Sequence, residues 1–178
     1  MTGLALDEEL VVLVDGAGNP IGTTPKATVH TTETPFHLAF SCYVFNDDGQ
    51  LLITRRALTK TAWPGVWTNS FCGHPAPEES FTDAIQRRAA FELGLDLGDI
   101  KIAIPDFSYR AVDASGVVEN EFCPVYTATA AADPKPNPDE VAEYAWVELD
   151  DIFSVASATP QLLSPWMVLQ LPLLVSTD

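Results

Sequence analysis

The sequence predicts an α/β fold in which helices cover a mixed β-sheet in layers. Many short apolar runs have strand-like composition, and one longer amphipathic helix lies in the middle of the chain. The length of 178 residues, 47% of them apolar, suits one domain with a full core. We therefore expect a single domain over residues 1–178.

The first predicted strands lie in the N-terminal part of the chain. Glu9 to Val14 is an apolar run that ends at the turn sequence DGAGNP. His37 to Phe45 and Gln50 to Arg55 flank the turn sequence NDDG and are predicted to pair as a β-hairpin. Gly65 to Ser70 follows as a short strand-like run.

Glu79 to Leu93 carries the clearest helical pattern, because its apolar residues recur at helical spacing. Ser80 is expected to cap the helix, with Asp83 completing an S-x-x-D capping box. Gly94 is expected to end it, since glycine readily adopts the left-handed conformation found at helix ends.

The second half of the chain predicts more strands, two short helices and a Pro-rich surface loop at residues 130–139. One helix covers Asp150 to Val155, and another begins at Ser164-Pro165, where Pro172 ends or kinks it. The predicted strands are Ile100 to Ile104, Phe107 to Val112, Val117 to Thr127 and Val141 to Val147.

The charge balance excludes several classes of partner. With 25 acidic and 9 basic residues, a net charge of −16 disfavours binding to nucleic acid or to an anionic membrane. No apolar run approaches the roughly 20 residues of a membrane span, and no signal peptide is recognisable. The 3 cysteines suit free thiols better than a disulfide framework, so we expect a cytoplasmic protein.

All three histidines and a pair of carboxylates are candidate metal ligands: His30, His37, His74, Glu119 and Glu121. The two glutamates are two residues apart in a predicted strand, so their side chains share a face. Three imidazoles with two carboxylates suit Mn²⁺ or Zn²⁺ better than an all-oxygen Mg²⁺ site. Spacing alone leaves open that the histidines are loop residues and the glutamates face solvent.

Cys72 precedes a glycine at the end of a strand-like run. One interpretation is a small buried apolar residue, which is the common fate of a free cysteine. The other is a reactive thiol whose pKa is lowered by a neighbouring metal-binding histidine and by basic residues. Basic residues do cluster around these motifs, which fits either an anion site or ordinary surface charge.

The segment from Gly73 to Leu95 resembles the Nudix box, a loop–helix–loop that binds Mg²⁺-diphosphate. The box spacing is kept by Gly73, Glu79, Arg87 and Glu92-Leu93-Gly94-Leu95. Arg88 and Phe91 stand where the box carries two glutamates, which in a hydrolase hold metal and activate water. The sequence therefore predicts the scaffold of the box without its hydrolytic carboxylates.

Nearly the whole chain resembles type I isopentenyl-diphosphate Δ-isomerase. The stretches that carry the resemblance are HLAFSCYVFN, LLITRRALTKTAWPGVWTNSFCGHP, RRAAFELG, PDFSYRA, GVVENEFCPVY and TPQLLSPWM. The resemblance implies a Nudix-like mixed-sheet α/β/α sandwich with an N-terminal extension, in which residues 1–36 contribute to the site. It also implies a monomer or a weak homo-oligomer.

The resemblance implies conversion of isopentenyl diphosphate into dimethylallyl diphosphate through a tertiary carbocation. Such chemistry needs an acid, a base and stabilisation of positive charge away from water. Cys72 and Glu121 match the acid/base pair, and Tyr109 matches the phenol that assists Glu121. Trp166 matches the ring that stabilises the cation; without the resemblance, a core or interface aromatic would be the preferred interpretation.

The resemblance also assigns the ligands of the ions and of the diphosphate. The five candidate metal ligands match one for one a site for Mn²⁺, Zn²⁺ or Mg²⁺, and Glu92 matches the residue that binds Mg²⁺ arriving with the diphosphate. Diphosphate-binding positions are matched by Lys26, Arg56, Lys60 and Arg88. A Nudix hydrolase and a non-catalytic binder of metal or prenyl diphosphate remain the alternatives.

Overall fold

The computed structural model describes residues 9–175. The strands in this part of the chain are β1 Leu10–Val14, β2 Pro20–Pro25, β3 His37–Leu38, β4 Phe40–Phe45, β5 Leu51–Arg56, β6 Trp67–Thr68, β7 Phe71–Gly73, β8 Gly98–Ile104, β9 Ser108–Val112, β10 Val118–Phe122, β11 Val125–Thr129 and β12 Val141–Val147. The helices are α1 Lys26–Val29, α2 Phe81–Leu93, α3 Leu149–Ala158 and α4 Pro165–Val175, with a 3₁₀ turn at Pro160–Leu162.

The strands form two mixed sheets. One has 5 strands in the order β2-β1-β3-β10-β9. The other has 7 strands, with the order β12-β5-β4-β11-β8 and with β6 on β5 and β7 on β4. Strands β3 and β10 pair in parallel, as do β4 and β11, whereas the remaining pairs are antiparallel. The mixed sheet predicted from the sequence is confirmed.

Helices cover both faces of the larger sheet. Along β4, Phe40 and Val44 pack with α2, whereas Tyr43 belongs to the core formed with α3 and α4. Ile85 and Leu93 of α2 are completely buried in the core between α2 and the larger sheet. Because side chains alternate across a strand, both faces of β4 are buried. The result is the predicted α/β/α sandwich.

Two runs that the sequence predicts as single strands are each divided between the two sheets. His37 to Phe45 breaks at Ala39, and Val117 to Thr127 breaks at Cys123-Pro124. Proline has no amide proton, so it cannot continue a ladder as a donor. The Ala39 amide donates to the Phe122 carbonyl at 2.9 Å, and this hydrogen bond keeps the two segments adjacent where both pass from one sheet to the other. Both predictions of an unbroken strand are wrong.

Helix α2 begins and ends as its local signals predict. The Ser80 hydroxyl accepts a hydrogen bond from the Asp83 amide at 3.1 Å and donates to the Asp83 carboxylate at 2.7 Å. Gly94 follows with φ of 61°, a left-handed conformation that glycine adopts without strain. The helix starts at Phe81, two residues later than predicted, because Ser80 is its cap.

Other differences concern edges and helix ends. Strands β2 and β7 were not predicted: β2 carries prolines at both ends and lies at a sheet edge, where proline is tolerated. Helix α4 continues past Pro172 to Val175, so the proline does not end it. Within residues 9–175 no helix has the length and apolar character that a membrane crossing requires.

Candidate active site

A cavity of about 500 Å³ opens between α1, α2, the strand ends and α4. It brings together nearly all of the site residues predicted from the sequence, although they lie as far apart as residues 26 and 166. Its lining includes Lys26, His30, Arg56, Lys60, Cys72, His74, Arg88, Glu92, Tyr109, Glu119, Glu121 and Trp166. His37 is completely buried and contacts His74 from below.

Strand register places three of these side chains in one row. Glu121 on β10 is paired with Tyr109 on β9 and with His37 on β3. Residues that are partners across neighbouring strands point to the same face of a sheet. The row therefore follows from the strand order of the smaller sheet, and strand β7 brings Cys72 and His74 to it from the larger sheet.

The imidazoles meet the Glu121 carboxylate at one point. His37 Nε2 and His74 Nε2 are 3.2 Å apart, and His74 Nε2 lies 3.2 Å from Glu121 Oε1. One ligand atom from each of His30, His37, His74 and Glu121 lies within 4.8 Å of the others. Glu119 Oε2 contacts His30 Nε2 at 3.0 Å, so it borders this group.

These donors fit a divalent transition ion. At a metal–nitrogen distance of about 2.0–2.1 Å, neighbouring ligand atoms are about 3 Å apart, close to the spacing between the two imidazoles. His37 Nδ1 lies 2.8 Å from the Pro35 carbonyl, which orients the ring so that Nε2 presents its lone pair to the cluster. His74 Nδ1 is buried without a hydrogen-bond partner among the described residues.

Burial and close contacts shift the pKa values of His74, Glu121 and Glu119. Burial lowers the pKa of His74 to about 4, so the ring is neutral, which is the form that ligates metal. Burial opposes ionisation of Glu121, but hydrogen bonds with His37 and His74 outweigh it and hold its pKa well below the usual range. Burial and the neighbouring charge of Glu121 raise the pKa of Glu119.

Cys72 lines the cavity with its sulfur between two polar groups. Its Sγ lies 3.4 Å from Ser41 Oγ and 3.5 Å from Asn69 Oδ1. Burial raises the pKa of Cys72 to about 12, and Arg56 lowers it only slightly. This direction is opposite to the lowered pKa of one of the two sequence interpretations, because burial outweighs the positive charge of the nearby side chains.

Tyr109 and Trp166 form an aromatic wall. The Tyr109 hydroxyl donates to Glu121 Oε2 at 3.1 Å, and burial raises its pKa well above the usual value, so it remains a donor. Trp166 is 1% exposed and packs edge-on against Trp63 with 5.5 Å between ring centroids. The Arg56 guanidinium lies 5.6 Å from the Trp166 ring centroid, which already makes this ring face a cation–π acceptor.

Three of the basic side chains that line the cavity each pair with a carboxylate. Arg88 Nη2 lies 2.5 Å from Glu92 Oε1 and 3.5 Å from Glu140 Oε2. Lys60 pairs with Glu140 as well, and Lys26 pairs at 2.9 Å with a second carboxylate, Glu9. Glu9 and Glu140 were not predicted as site residues, since neither lies in a motif.

The Nudix-like segment now has a structural explanation. Glu79 and Arg87 form two hydrogen bonds of 2.8 Å, and Arg87 Nη2 donates to the His74 carbonyl at 3.2 Å, which fastens the His74 loop to α2. A Cβ on Gly73 would lie 2.7 Å from the Phe40 ring and 2.9 Å from the Arg88 side chain. Glycine is therefore required where the loop crosses α2.

Comparison with known proteins agrees with this geometry. The NUDIX domain family matches residues 35–167. Isopentenyl-diphosphate Delta-isomerase from Agromyces mediolanus is 61% identical over 170 residues, covering 96% of this chain and 82% of the relative. The chain belongs to the isopentenyl-diphosphate Delta-isomerase family. The enzyme of that name from Clavibacter michiganensis subsp. michiganensis is 58% identical, covering 93% of this chain and 86% of its own length.

Solved structures confirm the fold that the family shares with other Nudix proteins. DR0079 from Deinococcus radiodurans has a TM-score of 0.72 at 19% identity, covering 92% of this chain and 98% of its own. A MutT protein from Methanosarcina mazei has a TM-score of 0.63 at 21% identity, covering 80% and 94%. This chain thus shares its sandwich fold with both proteins.

Proposed function

We propose that this protein interconverts isopentenyl diphosphate and dimethylallyl diphosphate. The observation that carries the proposal is the placement of Cys72, Glu121 and Trp166 on one cavity that basic side chains also line. An isomerase of this kind needs two proton-transfer groups, an aromatic face and an anion-binding end. Membership of the isomerase family supports the same conclusion.

In the proposed mechanism one proton is added to carbon 4 of the alkene and another is removed from carbon 2, so the reaction needs no net acid or base. Cys72 and Glu121 are the two proton-transfer groups, and both line the cavity. Tyr109 donates a hydrogen bond to Glu121 and assists its proton transfer. The electron pair of the broken C–H bond forms the new double bond.

The intermediate carries its positive charge on a tertiary carbon, which we place against the face of Trp166. A desolvated cation–π contact is worth about 2 kcal/mol or more. Trp63 and Tyr109 fix this ring from the side and exclude water that would capture the cation. The packing role and the chemical role of Trp166 are therefore compatible.

The substrate diphosphate binds among four basic side chains of the cavity: Lys26, Arg56, Lys60 and Arg88. Arginine offers paired hydrogen bonds to phosphate oxygens, and lysine supplies a point charge. Glu92 lies beside Arg88, within the cavity, and is placed to meet the Mg²⁺ that accompanies the diphosphate. We propose that Glu140 keeps Lys60 and Arg88 oriented before the substrate arrives.

The imidazole cluster and its carboxylates are proposed to hold a second divalent ion, of Mn²⁺, Zn²⁺ or Mg²⁺. The ligands would be His30, His37, His74, Glu119 and Glu121. When bound, the ion would stabilise the ionised form of the Glu121 carboxylate and fix its orientation. Borderline ions suit the three imidazoles better than Mg²⁺ does.

Two alternatives predict different products. A Nudix hydrolase would release phosphate, but Arg88 and Phe91 occupy the places of the box glutamates, and Phe91 is 53% exposed on the outside of α2. A non-catalytic binder would leave the substrate unchanged. Incubation with isopentenyl diphosphate, followed by separate measurement of dimethylallyl diphosphate and of inorganic phosphate, distinguishes all three. Phosphate release without the isomer would overturn the proposal.

A further inference from the structure

A buried polar chain lies behind Cys72. Tyr43 and Ser41 on β4 and Gln170 on α4 are each completely buried. The Tyr43 hydroxyl donates to Gln170 Oε1 at 2.9 Å, and Gln170 Nε2 donates to Ser41 Oγ at 2.9 Å. Ser41 Oγ in turn lies 3.4 Å from the sulfur of Cys72 and 3.4 Å from the sulfur of Cys123.

The structure gives a direction to the first two hydrogen bonds of this chain, whereas in each sulfur contact either atom could be the donor. The Tyr43 phenol donates its single proton to Gln170 Oε1, which turns the other end of the amide towards Ser41. The Gln170 nitrogen then faces Ser41, where the serine oxygen accepts. The only proton on the Ser41 hydroxyl is left for one of the two sulfurs.

Ser41 Oγ is equally distant from both sulfurs, so we assign its proton from the other contacts of each sulfur: Cys72 Sγ donates to Asn69 Oδ1 at 3.5 Å and is left to accept. Cys123 is completely buried and does not line the cavity, and its S–H group can donate to the second lone pair of Ser41. This leaves the Ser41 proton for Cys72. With two hydrogen bonds accepted and one donated, the hydroxyl is fully satisfied.

Asn69 holds the sulfur of Cys72 from another direction. Its two amide protons go to the carbonyls of Cys42 at 3.0 Å and Phe71 at 2.9 Å, so its oxygen is fixed towards Trp166 Nε1 at 3.0 Å and Cys72 Sγ at 3.5 Å. The Cys72 sulfur therefore lies between the Asn69 side-chain oxygen and the Ser41 hydroxyl, and both groups are oriented by their other hydrogen bonds.

We propose that Ser41 is a positioning residue for the Cys72 thiol, and that Gln170 and Tyr43 fix the direction of its hydroxyl. The inference rests on the proposed function, in which Cys72 transfers a proton. Trp166 and Gln170 are one turn apart on α4. The same helix therefore positions the aromatic face directly and the Cys72 thiol through Gln170 and Ser41.

The first test replaces Ser41 and compares it with a matched buried serine. Ser41→Ala is expected to lower kcat about 10-fold, the effect of one hydrogen bond of ordinary strength, with KM within about twofold because the diphosphate binds elsewhere. Ser70→Ala is the control: Ser70 is also completely buried, bonds to Val44 and Leu52, and does not line the cavity. Its kcat should stay within about twofold of the native value.

The second test removes the phenol that orients Gln170. Tyr43→Phe frees the Gln170 amide to rotate, so Ser41 can donate to it instead of to Cys72, and kcat should fall about threefold or more. The double variant with Ser41→Ala should be no slower than Ser41→Ala alone, because both changes remove the same hydrogen bond. Tyr43→Phe also decides the question if Ser41→Ala does not fold.

A third measurement does not depend on turnover. Alkylation of Cys72, followed at fixed pH by mass spectrometry of its peptide, should be about threefold slower in Ser41→Ala, since a donated hydrogen bond stabilises the attacking thiolate. Equal losses of kcat in the Ser41 and Ser70 variants, multiplicative losses in the double variant, or an unchanged alkylation rate would each overturn the inference. A native protein without isomerase activity contradicts the proposed function instead, and the alkylation comparison still tests Ser41.

Discussion

Arg88 shows how one residue changes the use of a shared scaffold. It stands where the Nudix box has a glutamate, and it pairs with Glu92 and Glu140 inside the cavity. A cation at this position attracts phosphate oxygens and cannot hold a metal or activate water. The substitution therefore favours binding an intact diphosphate over cleaving it.

Cys72 is expected to be the thiol whose modification inactivates the protein. A thiol reagent should abolish turnover, and isopentenyl diphosphate should protect, because Cys72 lines the cavity whereas Cys42 and Cys123 are completely buried. Its pKa of about 12 means that the thiol holds its proton near neutral pH, so alkylation should accelerate as the pH rises from 7 to 10. Rates are measured by mass spectrometry of each cysteine peptide.

Replacement of the same residue complements the chemical modification. Cys72→Ala should lower kcat at least about 100-fold, as expected for loss of a proton-transfer group. Inactivation that accompanies modification of Cys42 or Cys123 alone would contradict the assignment.

Trp166 is expected to act on turnover more than on binding. Trp166→Leu should lower kcat about 30-fold through loss of a desolvated cation–π contact, with a smaller change in KM. Trp146→Leu is the control, since Trp146 lies on β12 away from the cavity and bonds to Asp133. Steady-state kinetics of both variants are compared; an equal loss in kcat and in affinity would reassign Trp166 to packing alone.

The candidate site residues were predicted from the sequence through the family resemblance, and the structure places all of them except the buried His37 in the lining of one cavity. Residues that act behind them were not predicted. Ser41 and Gln170 are polar residues within apolar runs, a pattern that indicates a buried hydrogen-bond network but not its partners, whereas Asn69 lies between two other polar residues. Glu9 and Glu140 carry no such signal, because their partners are distant in the chain.

At the scale of elements, local signals predicted α2 well and the sheet boundaries poorly. The cap at Ser80 and the glycine at Gly94 act within one turn of the helix, so the sequence contains them in full. The breaks at Ala39 and Pro124 divide runs that remain apolar on both sides. Which sheet each half joins depends on strands far away in the sequence, and no local pattern records that choice.

The capping interaction of α2 predicts a measurable loss of stability. Ser80→Ala should lower the free energy of unfolding by about 1 kcal/mol, because the Asp83 amide loses its acceptor. Ser154→Ala, at an exposed site within α3 where the hydroxyl bonds only to the preceding turn, should change it by less than about 0.5 kcal/mol. Urea denaturation measures both; similar values for the two variants would contradict a capping role.

At the scale of the whole molecule, two sheets and α4 converge on one cavity lined by basic side chains and by candidate metal ligands, in a chain of net charge −16. Strand β10 supplies Glu119 and Glu121, β3 supplies His37, β7 supplies Cys72, and His74 directly follows β7. Because these strands come from both sheets, correct folding of the whole sandwich is required before the metal ligands meet.

Removal of bound metal should therefore affect both turnover and stability. Chelation is expected to abolish isomerisation and to lower the thermal midpoint, because the imidazoles and Glu121 would lose the ion that holds them. Added Mn²⁺ or Zn²⁺ should restore both, measured by product formation and by thermal denaturation. Full activity in protein verified to be free of metal would contradict the assignment of the cluster.

The central claim is that this cavity moves a double bond by protonation and deprotonation. Its most direct test is incubation with isopentenyl diphosphate and Mg²⁺ in deuterated water, followed by NMR of the products. We predict dimethylallyl diphosphate with deuterium in the methyl group formed from carbon 4. Phosphate release in its place, or unchanged substrate with metal verified in the protein, would contradict the isomerase account.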